Sequence, residues 1–142
     1  MSSLEIIILV SFIWFSIVLT GFFAFHICKT RIKFKSEIIK GHRDLWIFYH
    51  ENYNDFKDIF DNNSQPEELN EKQSMFLVML FNQMELVYNA KKYDMLPRTF
   101  DFVDDFKDIM SYNIIKKFWK GNRLYRDKSF AKFIDKIINE KK

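Results

Sequence analysis

The sequence is poor in the residues that form tight turns and cross-links. Its 142 residues include three glycines, two prolines and one cysteine. An all-β fold needs many turns rich in glycine and proline, so their scarcity favours an all-α fold. The single cysteine, Cys28, leaves no partner for an intramolecular disulfide and no second thiolate for a metal site. Three glycines also leave no glycine-rich loop that could cradle a phosphate.

A long uncharged apolar run stands near the start of the chain. Between Glu5 and Lys29 the sequence reads IIILVSFIWFSIVLTGFFAFHIC. As a helix, residues 6–27 would span about 33 Å, close to the roughly 30 Å of bilayer hydrocarbon. The run predicts a transmembrane helix over residues 6–28, after a short extracytoplasmic N-terminus over residues 1–5.

Two other interpretations fit this run less well. A cleaved signal peptide has a basic start, a shorter apolar region and a small-residue cleavage site, whereas no Lys or Arg precedes this run. A buried core helix usually has a polar face, whereas this run is apolar on all sides. We therefore expect the segment to be retained as a membrane anchor.

A basic juxtamembrane segment, residues 29–35, follows the run and contains Lys29, Arg31, Lys33 and Lys35. Basic residues beside a membrane span are kept on the cytoplasmic side. We therefore expect a single-pass protein of the cell inner (plasma) membrane, with its N-terminus outside and its C-terminal domain in the cytosol. The same cations can also contact anionic lipid headgroups.

Small residues recur on one face of the apolar run. Ser16, Thr20 and Ala24 are spaced four apart, and Gly21 lies beside them. Such ridges allow close approach of helices in lipid, so these four residues are candidates for helix packing and self-association in the membrane. Small residues are also common in transmembrane helices without any such role.

The remaining part, residues 36–142, is long enough for one cytosolic domain. Apolar residues at helical spacing predict a first helical segment that ends near Asn62 and a second over about residues 66–92. Ser64 and Glu67 form a capping-box pattern for the second helix, and Thr99 can cap a third. Two further segments follow a break near residues 111–113. The predicted fold is thus one transmembrane helix followed by a small bundle of about four to five helices.

Charge is unevenly distributed along the chain. The net charge is +4 over residues 1–43, −8 over residues 44–110 and +7 over residues 111–142. The positive charge of residues 111–142 favours contact with the acidic residues 44–110 or with an anionic lipid surface. Nucleic-acid binding is the alternative for its cations, but the aromatics between them fall mostly at core spacing rather than as a stacking platform. The cations are Lys116, Lys117, Lys120, Arg123, Arg126, Lys128, Lys132 and Lys136.

Patterns for catalysis or cofactor binding are weak. His42 and His50 lie near one helical face with Glu51 beside the second, but no third ligand follows at metal-site spacing. Acidic residues near Pro66 are explained by the favourable interaction of carboxylates with a helix N-terminus. We therefore predict no catalytic residue, no metal site and no cofactor.

One carboxylate lies close to an apolar helix face. Glu85 is one turn from Phe81 and Tyr88, and a buried carboxylate needs a cation or a hydroxyl as partner. Arg123 is the predicted partner in a structural polar pair. A catalytic carboxylate at Glu85 is the alternative.

A resemblance rests on these same parts of the sequence. Asn82, Glu85 and Tyr88, followed by FWKGNRLYRDKSFAKFID with Trp119, Arg123, Phe130 and Phe133, resemble a group of small bacterial proteins. That group has one N-terminal membrane helix and a cytosolic all-helical domain of unknown function, and some members are associated with phage abortive infection. The group often has a glycine in the turn after the helix that carries the glutamate, whereas the present chain has Tyr93 and Asp94 there.

Together these features predict a membrane-anchored cytosolic interaction protein, a scaffold or sensor. We expect it to bind membrane lipid through its anchor, and a protein partner or a second copy through its helical domain. The resemblance implies a link to phage infection or defence. A membrane-tethered enzyme acting on a lipid or nucleotide, with a carboxylate site near Glu85, is the alternative.

Overall fold

The computed structural model describes residues 3–63, 68–97 and 99–140, with side chains from Ser11 onward, and its regular secondary structure in these residues is helical. Its helices are α1 (Ser3–Glu51), α2 (Tyr53–Phe56), α3 (Glu71–Lys92), α4 (Val103–Ile109), α5 (Asn113–Asn122) and α6 (Lys128–Asn139). Two 3₁₀ turns, Lys57–Phe60 and Arg123–Tyr125, follow α2 and α5. The predicted all-α fold, with a long apolar N-terminal helix and a set of smaller helices, is confirmed.

The chain divides into two units, residues 1–36 and residues 37–142. The first unit belongs to α1 and contains the apolar run. The basic segment over residues 29–35 is also part of α1, so its backbone is helical.

The core of the second unit contains seven aromatic residues among the twenty buried apolar residues that the structure describes. Phe56, Phe81 and Phe130 are completely buried, and Trp119 is nearly so. The rings of Phe56 and Phe76 stack with centroids 4.8 Å apart, and Phe81 lies 5.1 Å from Trp119. Since each buried aromatic ring removes a large apolar area from water, these rings contribute much of the stability of a domain of this size.

Helix α3 begins later than the sequence pattern predicts. Residues 68–70 are not helical, and Asn70 is the N-cap. The Asn70 side chain accepts from the Gln73 main-chain N–H at 2.8 Å, and the Gln73 side chain accepts from the Asn70 N–H at 3.0 Å. This reciprocal capping box fixes the helix start, so the predicted start near residue 66 is wrong. The Ser64–Glu67 pattern itself lies outside the described residues.

Two other predicted helix ends also differ from the structure. The first helical segment breaks at Asn52, whose side chain donates to the Phe48 carbonyl at 2.9 Å, and α2 follows as a separate short helix. Thr99 does not cap α4. Helix α4 begins at Val103, whose main-chain N–H donates to the Asp101 carboxylate at 3.0 Å.

The turn after α3 contains the one non-glycine residue with positive φ among the described residues. Asp94 has φ 55°, in the left-handed region where glycine is most easily accommodated. The Met95 N–H then donates to the Ala90 carbonyl at 2.8 Å and ends α3. An aspartate therefore occupies a position of this turn whose backbone conformation favours glycine.

Candidate functional site

Glu85 on α3 forms a polar cluster with the segment that leads into α6. Its Oε2 lies 3.3 Å from Nη1 of Arg126, and its Oε1 accepts from the Asp127 main-chain N–H at 3.0 Å. Arg126 also donates to the side-chain oxygen of Asn82, and its guanidinium lies over the Phe81 ring at 5.9 Å. Both charged groups are mostly removed from water, since the Glu85 side chain is 20% exposed and that of Arg126 is 11% exposed. The arrangement is a satisfied ion pair that holds the start of α6 against α3.

The predicted pair of Glu85 with Arg123 is not formed. Arg123 instead pairs with Asp135 on α6, with Nη2 and Oδ2 2.9 Å apart. The other carboxylate oxygen of Asp135 accepts from the indole N–H of Trp119 at 3.0 Å. The 3₁₀ turn between α5 and α6 gives the two arginines different partners, and Arg126, three residues further along, reaches Glu85.

Asp127 is the N-cap of α6 and lies next to this cluster. Its Oδ1 accepts from the main-chain N–H groups of Ser129 and Phe130 at 2.9 and 3.1 Å, and from the Ser129 hydroxyl. The hydrogen bond from the Ser129 hydroxyl, followed by that from the Phe130 N–H, lowers the pKa of Asp127 below its ordinary value. Lys92 on α3 donates to the Ser129 hydroxyl oxygen at 2.8 Å, so a second polar bond joins α3 to this helix start.

Asn82, Glu85 and Tyr88 on α3 all contact the C-terminal part of the domain. Asn82 and Glu85 bond to Arg126, and the Tyr88 ring lies 5.6 Å from Phe130 and 4.9 Å from Phe133. All three therefore contact α6 or the residues just before it. Each has a structural partner in the fold.

Two surface clefts are present in the second unit. One, of about 180 Å³, lies beside Trp119, Arg123 and Asp135, and the other, of about 400 Å³, lies between residues 68–74 and α5. Both are open to solvent, and Glu85 lines neither of them. Every buried side-chain nitrogen and oxygen atom in the described part of the chain has a hydrogen-bond partner. The described residues therefore have no unpaired buried polar group that points to a ligand.

Two of the three histidines of α1 contact a tryptophan. The Trp46 indole N–H donates to Nε2 of His42 at 2.9 Å, and the Trp46 ring stacks on His50 with centroids 5.4 Å apart. Among the described residues, no three His, Cys, Asp or Glu side chains come together as metal ligands. The two histidines thus contact an exposed indole.

The apolar part of α1 is the one helix in the described chain that is long and apolar enough to cross a membrane. None of its most apolar window is buried inside the protein. Within it, the Thr20 hydroxyl donates to the Ser16 carbonyl at 2.8 Å, and nothing lies within 4 Å of the position that a Cβ on Gly21 would take. Ser16, Thr20, Gly21 and Ala24 are exposed, and so are the cations beyond the run, Lys29, Arg31, Lys33 and Lys35.

The basic C-terminal part carries two very exposed apolar side chains. Leu124 is 88% exposed and Tyr125 is 86% exposed, at the 3₁₀ turn between α5 and α6. Of the other aromatics in residues 111–142, Trp119 and Phe130 are buried, whereas Tyr112, Phe118 and Phe133 are half-buried.

Sequence reasoning missed three of these features. It gave Glu85 the wrong arginine, it did not recognise Asp127 as the cap of α6, and it did not identify the exposed Leu124 and Tyr125. A signal for the cap was present, because Asp followed two residues later by Ser is typical of a helix N-terminus. No periodic pattern marks Leu124 and Tyr125, because they lie in a turn.

Comparison with protein-family models, with curated proteins and with solved structures finds no match to this chain.

Proposed function

We propose that this protein is a single-pass membrane protein whose helical domain binds a protein partner at the cytosolic face of the membrane. The observation that carries the proposal is the exposed, uncharged stretch of α1 over residues 11–28. Apolar side chains such as Phe12, Phe15 and Phe22 are all more than half exposed there. In water such a surface would aggregate, whereas in lipid it is solvated.

The orientation rests on the basic residues that follow this stretch. Lys29, Arg31, Lys33 and Lys35 are exposed on α1. Moving such a cluster across a bilayer is unfavourable, so residues from about Lys29 onward are assigned to the cytosol.

The contacts of Glu85 favour a binding function over a catalytic one. Its carboxylate is held by Arg126 and by the Asp127 N–H, and Glu85 lines neither of the two clefts described above. A catalytic acid would need access to substrate in a pocket. The ion pair gives Glu85 a structural role instead.

The partner-binding face is assigned to the exposed side of α1 within residues 37–51. Ile39, Trp46 and Ile47 are all about half exposed or more. Protein interfaces are enriched in aromatic residues, and tryptophan is one of the residue types enriched among those that dominate the binding energy.

The resemblance to bacterial proteins of phage abortive infection extends the proposal to defence against phage. Its support is the set of residues quoted above for that group. Cells that express the chain should then reduce phage plaque formation, and cells that express Trp46→Ala should do so less.

Two experiments test the proposal. In alkaline carbonate extraction, the chain should stay with the membrane, whereas Val18→Arg should release it and the matched variant Ile39→Arg should not. A reporter fused after Lys142 that is active only in the cytosol should give a signal in intact cells. Extraction of the unaltered chain would overturn the anchor, and a signal only from the outer side would overturn the orientation.

A photo-crosslinker tests the assigned binding face. Placed at Trp46 in living cells, it should capture a discrete protein or a second copy. Placed at Asp104, which is exposed on α4, it should not. Equal capture from both positions would exclude α1 as the binding face.

A further inference from the structure

The turn between α5 and α6 presents two apolar side chains directly to solvent. Leu124 and Tyr125 are more exposed than any other large apolar side chain in the described part of the chain. Because water contact with large apolar groups is unfavourable, an adjacent pair that is so fully exposed is a candidate contact surface.

The turn is held in place from both ends. Before the pair, Arg123 is fixed by its ion pair with Asp135. After the pair, Arg126 is fixed by Glu85 and Asn82, and its main-chain N–H closes the turn on the Arg123 carbonyl at 3.2 Å. The exposure of Leu124 and Tyr125 therefore follows from a turn that is anchored at both flanks.

The exposed charges around the turn are mainly positive. Lys120 in the last turn of α5 and Lys128 at the first position of α6 are both exposed, four residues before Leu124 and three after Tyr125. The two arginines in this stretch are already neutralised by Asp135 and Glu85. Asp127 adds one exposed carboxylate, so the two lysines leave positive charge in excess beside the apolar pair.

We propose that Leu124 and Tyr125, together with Lys120 and Lys128, form a second membrane contact that inserts into the anionic headgroup region of the bilayer in which α1 is anchored. Leucine supplies an apolar side chain, and tyrosine is enriched at the level of the headgroups, where its ring is buried and its hydroxyl remains hydrated. Each lysine strengthens binding to an anionic surface by about fivefold. This inference rests on the proposed membrane insertion of α1, which keeps the bilayer at high effective concentration.

The composition of the turn favours lipid over other occupants. A stable protein interface covers about 800 Å² on each partner, far more than two adjacent side chains provide. A single-stranded nucleic acid needs several stacking rings, whereas Tyr125 is the fully exposed aromatic of this basic part. Two apolar side chains between two lysines fit the boundary between headgroups and acyl chains.

The contact can be measured with a fluorophore at the turn of the full chain. Cys28→Ser removes the native thiol, and Leu124→Cys provides a site for an environment-sensitive dye. The labelled protein is placed in nanodiscs of phosphatidylcholine alone or of phosphatidylcholine with phosphatidylglycerol. We expect the dye to shift to the blue and to be quenched by spin-labelled lipid in the anionic discs, with little change in the neutral discs.

Matched variants separate this contact from a general effect of lipid charge. The same dye at Asp104→Cys should remain in water in both kinds of disc, because that exposed position lies in the acidic first turn of α4. Lys120→Gln with Lys128→Gln should lower the lipid-bound population of the turn about 25-fold in equilibrium constant, from the product of two fivefold effects. All these positions are exposed, so the core is not altered.

Two results would overturn the proposal. If a dye at residue 124 stays in water in anionic discs, the turn does not contact lipid. If its blue shift requires a second copy of the chain in the same disc, the turn mediates self-association instead. Alkaline extraction of the same protein distinguishes failure of the proposed membrane anchor from failure of the proposed contact at the turn. Release of the chain from the membrane would overturn the anchor, whereas a retained chain with a water-exposed dye would overturn only the contact at the turn.

Discussion

Gln83 on α3 donates its side-chain amide to the main-chain carbonyl of Ile38 on α1 across 2.8 Å. Gly41 lies beside this bond, and a Cβ at that position would overlap with Oε1 of Gln83. Gly41→Ala should therefore displace the Gln83 amide and break its hydrogen bond with the Ile38 carbonyl. Replacing a helical glycine by alanine alone raises the free energy of unfolding by about 0.5–1 kcal/mol, and the lost hydrogen bond offsets this gain. The expected net change in the free energy of unfolding is close to zero, measured by urea unfolding of the full chain in micelles.

Gly121→Ala is the matched substitution and should raise stability. Nothing lies within 4 Å of the new Cβ, and the residue is within α5. The expected gain is about 0.5–1 kcal/mol in the same unfolding assay. If Gly41→Ala stabilises as much as Gly121→Ala does, the Gln83 hydrogen bond contributes nothing.

Removing the charge of Glu85 should destabilise the domain. Glu85→Gln leaves the guanidinium of Arg126 mostly buried without its counter-charge but keeps an oxygen for the Asp127 N–H, so we expect a loss of about 1–2 kcal/mol. Glu85→Ala also removes that oxygen and should cost about 2–3 kcal/mol. Both losses are measured by urea unfolding followed by near-ultraviolet circular dichroism. Asp104→Asn, which disturbs only an exposed pair with Lys107, should change stability by less than about 0.5 kcal/mol.

The cap of α6 predicts a specific pH dependence. The pKa of Asp127 is lower in the folded protein than in the unfolded chain, chiefly because of the Ser129 hydroxyl and the Phe130 N–H. Its contribution to stability is therefore complete above the unfolded pKa and is lost as the pH falls through the folded pKa. The stability advantage of the native chain over Asp127→Asn should shrink across this acidic range. Thermal unfolding at a series of pH values measures it, and a difference that is flat with pH would refute the role of the carboxylate.

The aromatic core should be sensitive to truncation at Phe56. This ring is completely buried and packs on Phe76 and Tyr49, so Phe56→Ala should reduce the free energy of unfolding by about 3–5 kcal/mol through lost burial and a cavity. Tyr53→Ala, on the same short helix but about half exposed, should cost less than about 1 kcal/mol. Denaturant unfolding of both variants checks the contrast, and equal losses would contradict the assignment of the core.

The helical class could be predicted because it depends on composition and periodicity, which are local in sequence. The stripe containing Phe76, Leu80 and Met84 is buried as its spacing implies. The first residue of a helix was less predictable where several nearby polar side chains could each cap it. Asn70 caps α3 through Gln73, and Asp101 supplies the acceptor at the start of α4, rather than Thr99.

The partner of Glu85 could not be obtained from spacing alone. Arg123 and Arg126 are three residues apart, and their choice of partner depends on the direction of the 3₁₀ turn between α5 and α6. In the structure Arg123 forms an ion pair with Asp135, and Arg126 forms one with Glu85. The sequence supplies the charges, whereas the turn geometry decides how they pair.

The contact of Trp46 with His42 and His50 has a spectroscopic consequence. The indole N–H is bonded to Nε2 of His42 and the ring stacks on His50, while about half of the side chain faces solvent. The emission of Trp46 should therefore change when a partner covers the exposed half of the ring. With Trp14 and Trp119 replaced by phenylalanine, the chain would carry a single intrinsic fluorophore on the exposed side of α1 within residues 37–51.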